Sequence, residues 1–197
     1  MRIGLILKSK ETIRIIISLA CFTIVELSTL QLNAKTLRVG NQQPYASIQK
    51  AINSSANGDT ILVWPGIYHE KNLIINKSII LIGKNYPVLD GEGKYEIVSI
   101  KSNHSVISGF KLQHSGYGTL TDPAGIKIYD ANYVTISNNI LDDTFFGIYA
   151  QYSKKSIIKN NHLTSYGKEE QQIGNGIHCW KSDSMQIIGN TITGHRD

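Results

Sequence analysis

At 197 residues, with 41% hydrophobic content and 17 glycines, the chain is long enough for one domain with a sizeable core. Four prolines, 18% charge and no low-complexity tract exclude a disordered polymer. The 20 basic against 15 acidic residues give a formal charge of +5, which falls to +3 (16 against 13) once residues 1–34 are set aside, too weak and too scattered for a nucleic-acid surface.

Residues 1–34 read as an export signal: Arg2, Lys8, Lys10 and Arg14 precede the apolar run IIISLACFTIV (Ile15 to Val25), and Leu32-Asn33-Ala34 offers small or apolar residues for cleavage. Glu26 ends that run short of the roughly 20 residues needed to span a bilayer. Ser18-Leu19-Ala20-Cys21 matches a lipoprotein cleavage box only loosely. Cleavage near Ala34 leaves 16 basic and 13 acidic residues and removes Cys21, so that Cys179 stands as the one cysteine of the mature chain.

From Lys35 a short strand leads into YASIQKAINSSANGD, where Ser47 is placed to cap a helix carrying Ile48, Ala51 and Ile52 on one face. A single amphipathic element ahead of a repeat array reads as its cap. Past the Gly58-Asp59 turn, TILVWPGIYHE, LIINKSIILIGKN and YPVLDG each read as strand closed by Gly, Pro or Asn.

A repeat then comes into register. TISNNILDD from Thr135, SIIKNNHLT from Ser156 and QIIGNTITG from Gln186 superpose Ile136, Ile158 and Ile187, with steps of 22 and 29 residues. GIKIY, GIYAQ and GIHCW, from Gly125, Gly147 and Gly176, move in the same steps. A period near 22 is too short for helical pairs, which need roughly 33 residues, and suits coils of short strands. The extra residues of the longer step fall in TSYGKEEQQIGN, a polar stretch that reads as a loop.

The expected fold is therefore all-β, a right-handed single-stranded parallel β-helix over residues 35–197 behind a short capping helix. Alternation turns Ile126, Ile148 and Ile177 inward with Ile128, Ala150 and Cys179, and turns Lys127, Tyr149 and His178 outward. Asn138, Asn160 and Gly189 suit the left-handed corner between strands. Asn139, Asn161 and Asn190 should stack as an amide ladder. The final residue, Asp197, falls opposite Phe146, just ahead of a new coil, and no polar terminal cap is present, so the sequence reads as a C-terminally truncated fragment.

The opening YASIQKAINSSANGDTILVWPGIYHE resembles that of many right-handed β-helix proteins of the carbohydrate-binding and sugar-hydrolase type. GNGIHCWKSDSMQIIGNTITGHRD, from Gly174 to Asp197, more narrowly resembles the NosD family. That resemblance implies a periplasmic, non-enzymatic protein that matures nitrous oxide reductase. It would work with a membrane ABC transporter and with the reductase or a copper chaperone, handling copper for assembly of the copper-sulfur cluster. Soft-metal ligands are His, Cys and Met, and no CxxC or HxxxH spacing is present. The metal candidates are His178, outward beside Trp180, and His195, whose ring Arg196 and Asp197 could orient; Trp180, Arg196 and Asp197 are candidates for partner contact. Cys179 is expected in the core, since neighbours on a strand point to opposite faces and cannot both reach one ion.

The alternative is a lyase, epimerase or hydrolase acting on acidic sugars, or a non-catalytic carbohydrate-binding solenoid. Such an enzyme wants carboxylates brought to one face. Asp122, Asp130, Asp142, Asp143 and Asp183 are the candidates, and their contexts read as turn or strand-end positions.

Overall fold

Short runs of Ile, Val and Thr bury one face and leave their backbone edges in need of partners. In the computed structural model, which describes residues 34–118, 121–167 and 169–196 (Glu170 by its backbone alone), every strand finds those partners in neighbouring coils, in parallel. Residues 1–33, holding the expected export signal, and Asp197 lie outside the described residues.

Three sheets result. The first stacks β1 (Thr36–Val39), β2 (Thr60–Val63), β5 (Ile80–Gly83), β8 (Val106–Ser108), β11 (Thr135–Ser137), β14 (Ile157–Lys159) and β17 (Gln186–Ile188). The second stacks β3 (Ile67–Tyr68), β6 (Val88–Asp90), β9 (Lys111–Gln113), β12 (Ile140–Asp142), β15 (His162–Thr164) and β18 (Thr191–Thr193). The third stacks β4 (Leu73–Ile75), β7 (Val98–Ile100), β10 (Ala124–Tyr129), β13 (Phe146–Gln151) and β16 (Ile177–Trp180). The chain visits the sheets in turn, one strand of each per coil, which is the expected parallel β-helix.

Register is strict. Ile107, Ile136, Ile158 and Ile187 align in the first sheet, and Leu112, Leu141, Leu163 and Ile192 in the second. Ile126, Ile148 and Ile177 align in the third. The interior members are fully buried. The GI phrase has a steric cause that alternation does not show. A Cβ on Gly147 would lie 2.4 Å from Leu163 Cδ2, and one on Gly125 would lie 2.7 Å from Leu141 Cδ2. At these two entries into the third sheet glycine makes room for the second-sheet leucine.

The NN corner carries the ladder. Asn138, Asn160 and Gly189 hold φ of 55°, 55° and 63°. Asn139 Nδ2 donates to Asn161 Oδ1 (3.1 Å), and Asn161 Nδ2 donates to Asn190 Oδ1 (2.9 Å). Each Oδ1 also accepts a backbone N–H from the preceding coil: Phe110 to Asn139, Asn139 to Asn161, Asn161 to Asn190.

The helix α1 (Ile48–Ser54) buries Ile48, Ala51 and Ile52, and Ser47 caps it by accepting from Lys50 N. Glu70, from the PG-x-Y-x-E phrase, adds a carboxylate that accepts from the N–H groups of Ile48 (2.5 Å) and Gln49 (2.9 Å), where the helix dipole favours an anion. Lys77 Nζ donates to the carbonyls of Ile52, Asn53 and Ser55 at the other end. Gln49 pairs both amide atoms with the backbone of Ile74, closing the free edge of β4 as another strand would.

One burial expectation is corrected, and one outward pair is more covered than its direction suggests. Cys179 pairs in register with Ala150 as expected, yet it is exposed, because β16 is an edge strand with no described residue stacked beyond it. Lys127 and Tyr149 do face outward, yet are 5% and 7% exposed, because residues 121–123 and neighbouring rings fold over them.

Asn161→Ala removes the acceptor of two Asn139 donors and the donor to the Ile136 carbonyl. It should cost about 2 kcal/mol or more of unfolding free energy, whereas exposed Lys159→Ala should stay within about 0.5 kcal/mol. Urea unfolding followed by circular dichroism checks both.

Candidate functional site

Alternation along β10, β13 and β16 sets two outward columns across the third sheet. One runs Ser99, Lys127, Tyr149, His178, and the other runs Tyr129, Gln151, Trp180. The longest of the described strands, β10 and β13, carry them.

At the β16 end the surface is aromatic. His178 meets Tyr149 edge-on at 4.8 Å between ring centroids, Phe146 at 5.5 Å and Trp180 at 6.5 Å. Trp180 is 47% exposed, and Lys181 lies 5.8 Å above its ring. An imidazole bracketed by rings is held in one orientation with its edge available.

Toward β7 the face becomes polar and deeper. Tyr129 donates its phenol proton to Glu96 Oε2 (2.9 Å), and Ser99 Oγ bonds both Glu96 Oε1 and Asn72 Oδ1. Lys127 Nζ sits 4.6 Å from the Tyr149 centroid and 5.1 Å from that of Tyr129, and donates to the carbonyls of Thr121 and Asp122. Burial pushes the Glu96 carboxyl above its ordinary range, the bonds from Ser99 and Tyr129 and the charges of Lys127 and Lys101 only partly offsetting it. Burial, and then Glu96 itself, raise the Tyr129 phenol, so Tyr129 stays the donor of the pair. A recess of about 230 Å³ opens here, lined by Asn72, Lys94, Tyr95, Glu96, Thr121, Pro123 and Tyr129. Its chemistry is that of one half-desolvated carboxyl, accepting from a hydroxyl and a phenol, among cations and rings.

The structure separates the two histidine candidates. His178 belongs to the outer face. His195 lies in the corner ahead of β16, its Nδ1 3.3 Å from the Gly174 carbonyl. Burial depresses its pKa, and the carbonyls of Gly174 and Phe145 partly restore it. Arg196 bonds Gly174 O through its backbone N–H (3.1 Å), so the GHR segment closes a corner. Among the described residues no three His, Cys, Asp or Glu side chains converge on a metal-sized site. Desolvation by the adjoining core also raises the Cys179 thiol, which disfavours the metal-binding thiolate.

Of the carboxylate candidates, Asp122, Asp130 and Asp143 hold left-handed turn conformations (φ 45°, 48° and 56°), Asp142 pairs with Lys111 at 2.8 Å, and Asp183 bridges Lys154 through its backbone. Of these only Asp122 borders the Glu96 group, its carbonyl accepting from Lys127 and its charge acting on Tyr129; sequence reasoning missed Glu96 itself, which sits in KYEIV with no motif around it, and only the fold brings Tyr129 and Lys127 near it.

Parallel coils, an amide ladder and a capped first turn define the protein as a β-solenoid. The chain belongs to the family described as right handed beta helix region, matched over residues 34–197. No curated protein matches it. Among solved structures it is similar to a Parabacteroides merdae protein described provisionally as a glycosyl hydrolase (9% identity, TM-score 0.48, 70% of this chain and 75% of that one). It is similar also to a pectin methylesterase in complex with a hexasaccharide (11%, 0.48, 79% and 66%) and to the Aspergillus niger pectin methylesterase (15%, 0.32, 82% and 68%). At such identities and scores these are likenesses of coil architecture and say nothing of chemistry.

Because the folded Glu96 pKa lies above the unfolded value near 4.5, its protonated form favours the fold. That contribution is present below the unfolded pKa and is lost as pH rises through the folded one. Glu96→Gln keeps a neutral partner for Ser99 and Tyr129, so its stability relative to the parent should grow between pH 4 and pH 7. Urea midpoints at a series of pH values test this, and a difference constant with pH contradicts the assignment.

Proposed function

We propose that the protein is an exported, non-enzymatic accessory factor in the maturation of nitrous oxide reductase. In this reading it presents the outer face of the third sheet to the reductase, a copper chaperone or the ABC transporter, with copper as transient cargo. One observation carries the reading. The coil GIHCWKS, whose wording resembles the NosD family, is the coil that places a ring-bracketed His178 and an exposed Trp180 side by side on one surface. An exposed tryptophan on a rigid strand next to a fixed imidazole is the composition of a protein-contact centre, and a lone imidazole suits a cargo passed between partners that supply the remaining ligands. Periplasmic localisation follows from the same reading and rests on the export signal.

A second reading has its own observation. Glu96, Tyr95, Tyr129 and Lys94 around a recess offer a carboxyl, rings and a cation to an acidic sugar. Binding of polygalacturonate or alginate, or unsaturated products formed from them, would favour that reading.

In a reductase-producing host, Trp180→Ala and His178→Ala should each lower the copper-sulfur cluster content of the reductase at unchanged levels of accessory protein, and Lys159→Ala should not. Copper titration of the purified chain should weaken with His178→Ala and be indifferent to Cys179→Ala. Full cluster content with both His178 and Trp180 replaced would defeat the proposal.

A further inference from the structure

The turns that carry the third sheet into the first, residues 101–105, 130–134, 152–156 and 181–185, stack into a corner of their own. It differs from the asparagine corner in what stands at the left-handed positions. There Asn138, Asn160 and Gly189 fill them, residue types that adopt this backbone at little cost. Here one column holds His104, Tyr133 and Lys155 at φ of 58°, 57° and 54°, and a second holds Tyr152 and Lys181 at 53° and 47°. Large side chains in that conformation are strained. Packing against the interior does not offset the strain, because all five side chains are exposed, Tyr133 by 47% and Tyr152 by 44%.

These side chains pack on one another instead. His104 stacks on Tyr133 at 4.8 Å between centroids and 2° between planes, and Lys155 Nζ lies 5.7 Å from the same ring. The column order places the two on opposite faces of Tyr133. Lys181 Nζ stands 5.5 Å from the Tyr152 centroid. Beneath them the turns are locked in register: Asn132 N–H donates to Asn103 Oδ1 (2.8 Å), Lys154 N–H to Asn132 Oδ1 (2.7 Å) and Ser153 N–H to Ser182 Oγ (3.1 Å). The result is a straight, rigid edge along the solenoid. Its four turns carry Lys101, Lys154, Lys155 and Lys181 against Asp130 and Asp183, four cations less two anions, a charge of +2. Among the described residues none of the six forms an ion pair, and Asp183 accepts the Ser184 hydroxyl (3.1 Å). Lysine's longer stem lets its charge reach further from a convex edge than that of aspartate.

We infer that this corner rests on an anionic lipid surface, its lysine ammonium groups meeting the phosphates and its tyrosines seated at headgroup level, independently of the maturation reading. Tyrosine beside lysine is the composition of a protein edge at a membrane interface. A polysaccharide would stack its sugars on open ring faces, whereas both faces of Tyr133 are taken, and a corner has no walls to hold a polymer. A plane meets such an edge along its whole length.

Cosedimentation of the purified mature protein with vesicles tests the inference. Partitioning into phosphatidylcholine containing about one-third phosphatidylglycerol should exceed that into phosphatidylcholine alone by about tenfold or more, and should fall as salt is raised. Replacing Lys154, Lys155 and Lys181 together by Gln should lower it at least about tenfold. Tyr133→Asn with Tyr152→Asn should also weaken it while holding or raising the melting temperature, since Asn relieves the left-handed strain. A purely structural role for the two tyrosines predicts a lower melting temperature and unchanged partitioning. Absent or equal partitioning into the two vesicles, or full binding by both variants, would overturn the inference. Retention on polygalacturonate without partitioning into vesicles would also overturn it and assign the corner to an acidic polysaccharide.

Discussion

One side-chain amide fixes the spacing on which the molecule depends. Asn161, 1% exposed, makes all four of its bonds: Oδ1 accepts from the backbone and the amide of Asn139, and Nδ2 donates to Ile136 O and Asn190 Oδ1. A buried amide is costly unless satisfied, and this one is satisfied only when three coils are stacked without slippage. Parallel strands of three residues hold register weakly by themselves. The ladder supplies at the corner what the strands are too short to supply along their length.

With register fixed, the outer surface is decided by which residues share a column. Lys127, Tyr149 and His178 come from coils that are distant in sequence and meet because Ile126, Ile148 and Ile177 stack beneath them. Glycines 125 and 147 bring the second-sheet leucines close under the same strands. The aromatic end of the face and the polar recess beside Glu96 are thus two stretches of one lattice, and a substitution in the interior moves both.

The coil, its corners and the cap were legible because each has a local cause. Asn138 and Asn160 announce a left-handed turn, Ser47 announces a helix start, and the GI phrase repeats with the same steps as the asparagines. The outward direction of His178 and Lys127 could be read from alternation, but their burial could not, since it depends on what loops do. Residues 121–123 fold over Lys127, and nothing in their wording points to that lysine. Glu96 was illegible for the same reason, being defined by Tyr129, thirty-three positions away. Cys179 shows the limit from the other side: its column was right, and its exposure follows from the edge position of β16, which periodicity does not address.

Two regions of the surface are set apart by how each treats charge. On the third sheet the cations are drawn under rings: Lys127 lies against Tyr129 and Tyr149, and Lys101 sits 5.2 Å from the Tyr129 centroid. The exposed part of that face is left to Trp180 and the edge of His178, which suits contact with a folded partner. At the corner where the second sheet passes into the third the cation Lys111 is tied to Asp142, and Tyr117 and Tyr166 stand 68% and 64% exposed. Both regions use tyrosine, but in the first the ring shields a lysine of the chain itself, and in the second the rings are open. A ring already engaged by an internal cation has little attraction left for an external one. The same residue type therefore makes a closed surface in one place and an open one in the other, and the difference lies in whether the fold has set a lysine of its own against the ring.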